Sequence, residues 1–142
     1  MKAKADLVEA YLRLPEEKRN WSPEPISRTA LDQLAECVVV NKMTVNLLQT
    51  RVWAEDAFAK LMQAKEEALA LEWQGLKTLL DENTRLLTEA IAAFPEEDLS
   101  LEVNMPWGAM PLSEVLAYPS WNMTYHLGQI NYIASMLGCL EP

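Results

Sequence analysis

The chain has 142 residues, 50% of them hydrophobic and 23% charged, with a formal net charge of −9 at pH 7. A chain of this length buries roughly 70% of its unfolded surface, so we expect one domain over residues 1–142 with a core that needs no disulfides. The negative charge and the scattered Lys and Arg residues argue against nucleic acid or an anionic membrane surface as a partner.

The first third of the chain predicts two helices and an extended connection between them. Apolar residues at the i, i+3, i+4, i+7 spacing predict a helix over residues 3–14. Pro23 and Pro25 predict an extended segment over residues 20–28. Either Ser27 or Thr29 has the side chain to cap the second helix, which continues with a broad apolar face.

The middle of the chain predicts further helix. A break is expected near residues 53–56, where Asp56 is suited to cap a new start. Residues 57–71 are rich in Ala, Lys and Glu, which favour helix. Residues 73–94 carry a regular leucine spacing and predict the third long helix, which Pro95 ends.

The segment before the last helix differs from the rest. Leu101, Val103 and Met105 alternate with polar residues, which predicts a short extended piece within residues 100–110. The last helix is predicted from Pro111 to about residue 137, with Gly138 as its C-terminal cap. Two residues inside it need a reason: Pro119 predicts a kink or a restart, and Gly128 predicts close approach of another helix.

Four long helices with short joins and one irregular excursion predict an all-α, up-down-type four-helix bundle. The sequence has no apolar run that resembles a signal peptide or a bilayer span, so we expect a cytoplasmic protein. Cys37 and Cys139 do not form a disulfide framework and are expected to be reduced thiols.

A few polar residues on apolar helix faces mark a candidate site. His126 is the single histidine, and Asn122 and Gln129 lie on the same helix face, four residues before it and three after it. Glu36 lies among apolar residues on the second helix. Buried polar groups are costly unless they find partners, so a carboxylate and a histidine on two bundle helices predict a site in the core between them.

The run WGAMPLSEVLAYPSWNMTYHLGQINYIASMLG contains Trp107-Gly108, then Asn122 and His126, and then a Gly-Gln-Ile run. It resembles the last helix of the DinB/YfiT-like superfamily, which shows a WG loop and a His-x-x-x-His motif followed by a GQI-like run. The second motif histidine falls on His126 and the first on Asn122. The family's remaining histidine, from the second helix, falls on Glu36 in the stretch ALDQLAECVVVN. The resemblance covers nearly the whole chain in helix order and length.

The resemblance implies a chemistry as well as a fold. Family members with all three histidines bind a divalent metal, and some transfer or isomerise low-molecular-weight thiol adducts. Here the implied metal ligands are Glu36, Asn122 and His126, which retain one imidazole of three. Such a set is a poorer zinc site than three histidines and suits manganese or iron better. One divalent ion (nickel, zinc, manganese or iron) and a metal-free polar network are both consistent with the sequence.

Three functions follow as hypotheses. The first is a divergent metal-dependent thiol transferase, and the second is a metal-free module that binds a small molecule or acts in stress. In both, Trp121 and Gln129 are expected to contribute to the pocket, while no catalytic residue is assigned. The third is a structural homodimer, because seven Met and five Trp residues leave room for an apolar contact face. A core network that only specifies packing is the alternative to any site.

Overall fold

The computed structural model describes residues 1–140, and within them the chain forms five α-helices and one β-hairpin. The elements in chain order are α1 (Lys2–Arg13), α2 (Ala30–Thr50), α3 (Ala57–Leu69), α4 (Trp73–Ala92), β1 (Glu102–Met105), β2 (Gly108–Pro111) and α5 (Leu112–Met136). Single 3-10 turns at Glu16–Lys18 and Glu96–Asp98 follow α1 and α4.

Helices α1, α2, α4 and α5 form the bundle, with α2 packed against both α4 and α5, and α1 packed on α5. An ion pair of 2.6 Å between Lys4 and Asp81 joins α1 to α4, and α3 packs on the outside of α2. The main core contains fully buried residues from all four bundle helices, among them Leu7, Leu34, Leu76, Leu80, Met123 and Ile130. The predicted all-α four-helix bundle is confirmed.

The two ends of α2 show how local sequence sets the helix boundaries. Thr29 is the N-cap, and its hydroxyl accepts a hydrogen bond of 3.1 Å from the amide of Asp32. Arg51 ends the helix in the left-handed conformation with φ 59°. The break predicted near residues 53–56 is confirmed, since α3 begins at Ala57. Asp56 occupies the N-cap position of α3, but its side chain makes no capping hydrogen bond.

The excursion before the last helix is an antiparallel hairpin. Val103 pairs with Met110, and Met105 pairs with Gly108, whose φ of 128° suits glycine at the turn. Val103 is buried in a second cluster of apolar side chains with Val45, Leu48, Leu87, Leu112 and Val115. The predicted extended piece is therefore confirmed, and it turns back on itself to place methionines beside α2.

Helix α5 runs without interruption through Pro119, so it does not restart there, and a kink at Pro119 stays a prediction. Pro119 is buried between the buried residues Val115 and Asn122, and this packing outweighs the loss of one backbone hydrogen bond. Past the end of α5, Gly138 has φ 67°, and the amide of Cys139 donates to the carbonyl of Ala134 at 2.8 Å. This is the Schellman closure that glycine favours, as predicted.

Gly128 does not have the environment that the sequence suggested. A Cβ built there would meet no atom within 4 Å, so none of the helices in residues 1–140 approaches it closely. Cys37 is buried, Cys139 is half-buried, and both are free thiols. None of the helices described is both long and apolar enough to cross a bilayer.

Candidate functional site

Helices α2 and α5 bring together the three residues that the sequence singled out. The ring Nε2 of His126 donates to Glu36 Oε1 at 3.0 Å, and Asn122 Nδ2 donates to the same oxygen at 3.2 Å. His126 is 1% exposed and Asn122 is 2% exposed. The predicted set is therefore one cluster in the interior, centred on a single carboxylate oxygen.

The other side of the His126 ring is also bonded. Nδ1 lies 2.8 Å from Gln129 Oε1 and 3.1 Å from Gln33 Oε1. Because the Glu36 carboxylate can only accept, Nε2 donates to it, while Nδ1 lies against the side-chain amides of Gln129 and Gln33. Gln129 thus belongs to the cluster. Gln33 was missed, although it lies three residues before Glu36 on the same helix face.

A series of ion pairs connects Glu36, through Arg28 and Asp32, to Lys65 on α3. Arg28 Nη2 lies 2.7 Å from Glu36 Oε2, and the Arg28 Nε also bonds Asp32. The other oxygen of Asp32 meets Lys65 Nζ at 2.6 Å, which ties α3 to α2. Arg28 and Lys65 were missed from the sequence. The signal for Arg28 was present, because Arg28, Asp32 and Glu36 follow at intervals of four residues.

This arrangement holds Glu36 ionised. Burial by itself raises the pKa of the Glu36 carboxyl, but the hydrogen bond from His126 and the charge of Arg28 lower it to about 2. The neighbouring thiol responds in the opposite direction, since burial and then the charge of Glu36 raise the pKa of Cys37. Cys37 therefore stays protonated and is no nucleophile at neutral pH.

The donor set does not fit a divalent ion as these side chains stand. A metal ligand needs a free lone pair, and Nε2 of His126 is engaged as a hydrogen-bond donor to Glu36. Both oxygens of Glu36 already accept hydrogen bonds from other groups, and an ion placed there would face the charge of Arg28. Within residues 1–140, no three His, Cys, Asp or Glu side chains group together as a metal site.

One acceptor in the cluster is left without a partner. The Oδ1 atom of Asn122 is buried, and none of the residues described donates a hydrogen bond to it. Its orientation is set by the other end of the amide, which donates to Glu36. A buried acceptor of this kind is destabilising unless a water or a ligand donor reaches it.

A cavity of about 310 Å³ opens beside Glu36, between α2, α3, the hairpin and the start of α5. Its polar lining consists of Glu36, Thr44, Lys65 and Tyr118. Burial and then the charge of Glu36 raise the pKa of the Tyr118 hydroxyl, so Tyr118 remains a hydrogen-bond donor. The rest is apolar and is rich in methionine and aromatic side chains: Met43, Met62, Met105, Met110, Trp53, Trp107 and Phe58.

Trp121 and Gln129 occupy different places from those expected. Neither side chain lines the cavity beside Glu36. Trp121 is 57% exposed on the outside of α5, where its ring stacks on Tyr125 at 5.3 Å. Gln129 lies on the side of the His126 ring that faces away from Glu36, where it contacts Nδ1. The residues that do line the cavity come from α3 and the hairpin, which sequence spacing alone does not bring to Glu36.

Comparison with known proteins gives a family and no named relative. The family model of the DinB superfamily matches residues 2–130, which is most of the chain. No curated protein matches the chain, and no solved structure matches it. The match includes Glu36, Asn122 and His126, the residues at which the family histidines were placed. This chain belongs to the DinB superfamily.

Proposed function

We propose that this DinB-superfamily chain binds a small apolar molecule, carrying one N–H or O–H donor, in the cavity beside Glu36. The proposal rests on one observation, namely that Glu36 takes part in two features of the structure at once. Its carboxylate is the centre of the Arg28–Glu36–His126 network and is also part of the cavity wall. A ligand in the cavity therefore meets an ionised, pre-oriented acceptor.

The shape and lining of the cavity support a compact ligand. About 310 Å³ lies at the lower end of the volumes of small-molecule sites. Four of the seven methionines line it, and flexible thioether side chains adapt to ligands of different outline. Trp53 and Trp107, whose ring centroids are 5.5 Å apart, offer an edge-to-face aromatic wall.

The polar end of the cavity favours a donor over an acceptor. A carboxylate has about four lone-pair positions, and Glu36 uses three of them, for His126, Asn122 and Arg28. One position on Oε2 stays free for a ligand amine or hydroxyl. Lys65 is already paired with Asp32, so it is less available to attract a ligand anion.

A metal-dependent thiol transferase stays a prediction that follows from the family resemblance. One observation favours it, the buried and unbonded Oδ1 of Asn122 beside Glu36 and His126. The same atom suits a water or a ligand donor equally well, and the charge of Arg28 opposes a second cation. We therefore propose the metal-free site and keep the metal-dependent enzyme as the alternative to be tested.

Methyl NMR of the methionines tests the cavity directly. With 2-phenylethanol, a neutral hydroxyl donor, as the probe, the methyl signals of Met43, Met62, Met105 and Met110 should shift together. Met1, Met123 and Met136 lie outside the cavity and serve as internal controls. Ethylbenzene, which lacks the donor, should bind more weakly. Shifts confined to the three control methionines, or no shift with either probe, would contradict the proposal.

The role of Glu36 needs a variant as well as a probe. Glu36→Gln should bring the affinities of the two probes close together, because the carboxylate that distinguishes them is gone. Glu114→Gln, on an exposed site of α5, is the matched control and should behave like the wild type. Elemental analysis of protein purified without chelator addresses the metal separately. One tightly held ion per chain would favour the metal-dependent enzyme.

A further inference from the structure

The outer face of α5 carries a continuous row of exposed aromatic rings. Trp121 is 57% exposed, Tyr125 is 50% exposed and Tyr132 is 68% exposed. Tyr118 extends the row at one end, since its ring lies 5.5 Å from that of Trp121. Large aromatic side chains bury most of their area in a typical soluble protein, so three half-exposed rings on one helix face call for a partner surface.

The row follows the spacing of a helix–helix contact. Tyr118, Trp121, Tyr125, Gly128, Tyr132 and Ser135 follow one another at alternating intervals of three and four residues, and we call these six the α5 aromatic stripe. Alternation of three and four gives a period of 3.5, which is the a/d repeat of a coiled-coil seam. None of the described helices covers it, since Gly128 in its middle has no neighbour within 4 Å of a built Cβ.

The charge pattern fits contact between two copies of this chain. Residues 115–140 contain no Asp, Glu, Lys or Arg, although the chain as a whole carries a net charge of −9. A two-fold symmetric contact places each charge near its own copy, and like charges across an interface are unfavourable. A charge-free face is where two strongly acidic chains can approach.

The order of large and small residues within the stripe is self-complementary. In an antiparallel pair of helices, each a position faces a d position of the partner. If the two-fold axis passes between residues 125 and 128, Tyr125 of one copy faces Gly128 of the other. Trp121 then faces Tyr132, and Tyr118 faces Ser135. The missing side chain at Gly128 makes room for the Tyr125 ring at the centre of the contact.

We propose that the α5 aromatic stripe is a homodimer interface in which the α5 helices of two copies pack antiparallel in this register. At roughly 200 Å² for a whole aromatic side chain, the exposed parts of Trp121, Tyr125 and Tyr132 supply about 350 Å² per copy. A stable interface buries about 800 Å² per partner. Exposed uncharged neighbours along α5, such as Thr124 and Met136, provide further area.

Other occupants of the stripe are less well matched. Single-stranded nucleic acid stacks on aromatic rows but needs cations to hold its phosphates, and residues 115–140 have no Lys or Arg. A helix that lies on an anionic membrane carries Lys and Arg beside its apolar face, and α5 does not. Tyr118 also lines the cavity beside Glu36, but the other five stripe residues do not, so variants at Tyr125 and Tyr132 test the dimer apart from the ligand site.

Molecular mass in solution is the first test, by light scattering and sedimentation over a wide range of concentration. The wild type should be a dimer. Tyr125→Glu places two like charges near the symmetry axis, and it should weaken dimerisation by roughly tenfold or more. Added salt should restore part of the loss, because it screens the two charges. Ile26→Glu puts a new carboxylate on the connection before α2, at a side chain that is 96% exposed, and should leave the dimer intact.

Several results would overturn the dimer. They are a wild type that stays monomeric at the highest concentration, and a Tyr125→Glu variant that dimerises as tightly as the wild type. Circular dichroism must show that the variant is folded. Tyr132→Glu, at a still more exposed position, gives a second variant with the same expected loss if Tyr125→Glu unfolds. A dimer broken by Ile26→Glu alone would place the interface at the connection before α2 and refute the proposal.

Disulfide crosslinking tests the antiparallel register. In a Cys139→Ser background, a chain that carries both Tyr118→Cys and Ser135→Cys should form a covalent dimer on mild oxidation. Neither single variant should do so, because each new thiol then lies far from its own copy across the axis. Buried Cys37 stays in every variant and should not react. Equal crosslinking of the single and double variants would exclude this register.

Discussion

Arg28 Nη2 lies 2.7 Å from Glu36 Oε2, while the other oxygen of that carboxylate meets His126 at 3.0 Å. Glu36 is therefore held between the Arg28 guanidinium and the His126 ring. The negative charge of this carboxylate is balanced by Arg28, a side chain of the same protein.

Removing Arg28 should destabilise the fold and loosen Glu36. Arg28→Ala leaves the carboxylate with only its hydrogen bonds to His126 and Asn122, and we expect a loss of about 1 kcal/mol in the free energy of unfolding. The loss is smaller than for a fully buried pair because the Arg28 side chain is 37% exposed. Urea unfolding at neutral pH measures it.

Arg85→Ala is the control for the Arg28 variant. Arg85 pairs with Glu89 at 2.6 Å, but both side chains are well exposed, so this change should alter stability by less than about 0.5 kcal/mol. If Arg28→Ala and Arg85→Ala lower the free energy of unfolding equally, the pair between Arg28 and Glu36 stabilises the fold no more than an exposed ion pair does.

Restoring histidines should create a metal site where the present side chains do not. Glu36, Asn122 and His126 already converge on one point, with 3.0 and 3.2 Å between their polar atoms. We expect Glu36→His with Asn122→His, combined with Arg28→Ala, to bind one nickel or zinc ion per chain in calorimetry. Three imidazoles are good ligands for either ion, and removal of the guanidinium removes the opposing charge.

The control for this gain is the variant with Asn122→His alone. It keeps Arg28 and Glu36 and should bind clearly more weakly than the triple variant. No stoichiometric binding by the triple variant would count against the placement of the family histidines on these positions. Tight binding by the wild type would instead contradict the metal-free site.

The helix order, the bundle and the meeting of Glu36 with Asn122 and His126 could be predicted from the sequence. Apolar spacing marks each helix, and polar residues on apolar faces must find partners inside. The family resemblance then indicated that these residues meet between the second helix and the last helix, which are α2 and α5. Helix α3 was also predicted, although it lies outside the bundle and packs mainly on α2.

The surroundings of the site could not be predicted in the same way. The salt bridge between Lys65 and Asp32 depends on how α3 docks, which no local pattern specifies. The cavity wall is assembled from the hairpin and α3, which are distant from Glu36 in sequence. Trp121 is exposed to solvent although it is adjacent to the buried Asn122, because neighbouring residues of a helix lie on different faces.

Acid should remove the contribution of Glu36 to stability within a defined range of pH. Its ordinary pKa of 4.5 falls to about 2 in the folded chain, so the folded state binds this proton less readily than the unfolded state. The stabilisation is therefore complete above about pH 4.5 and is lost as the pH falls through 2. Its upper limit is about 3 kcal/mol, reduced by the 24% exposure of the side chain.

The comparison that isolates this group is wild type against Glu36→Gln, by urea unfolding from pH 7 down to acid. The variant removes the carboxylate that Arg28 and His126 contact, so it should be less stable than the wild type at neutral pH. The difference between the two should shrink below pH 4.5. Glu114→Gln, which is exposed on α5, should follow the wild type throughout. A constant difference at every pH would mean that Glu36 is not held ionised by its partners.

The start of α2 offers a test of how capping supports the site. Thr29 Oγ1 accepts the Asp32 amide at 3.1 Å, and the Asp32 side chain in turn bonds Arg28. Thr29→Ala should therefore lower the free energy of unfolding by about 1 kcal/mol, whereas Thr29→Ser should restore most of it. Ser27 also had a suitable side chain by sequence but caps no helix, so Ser27→Ala should have little effect. A larger loss for Ser27→Ala than for Thr29→Ala would show that α2 begins earlier than Ala30, and that Arg28 reaches Glu36 from within the helix.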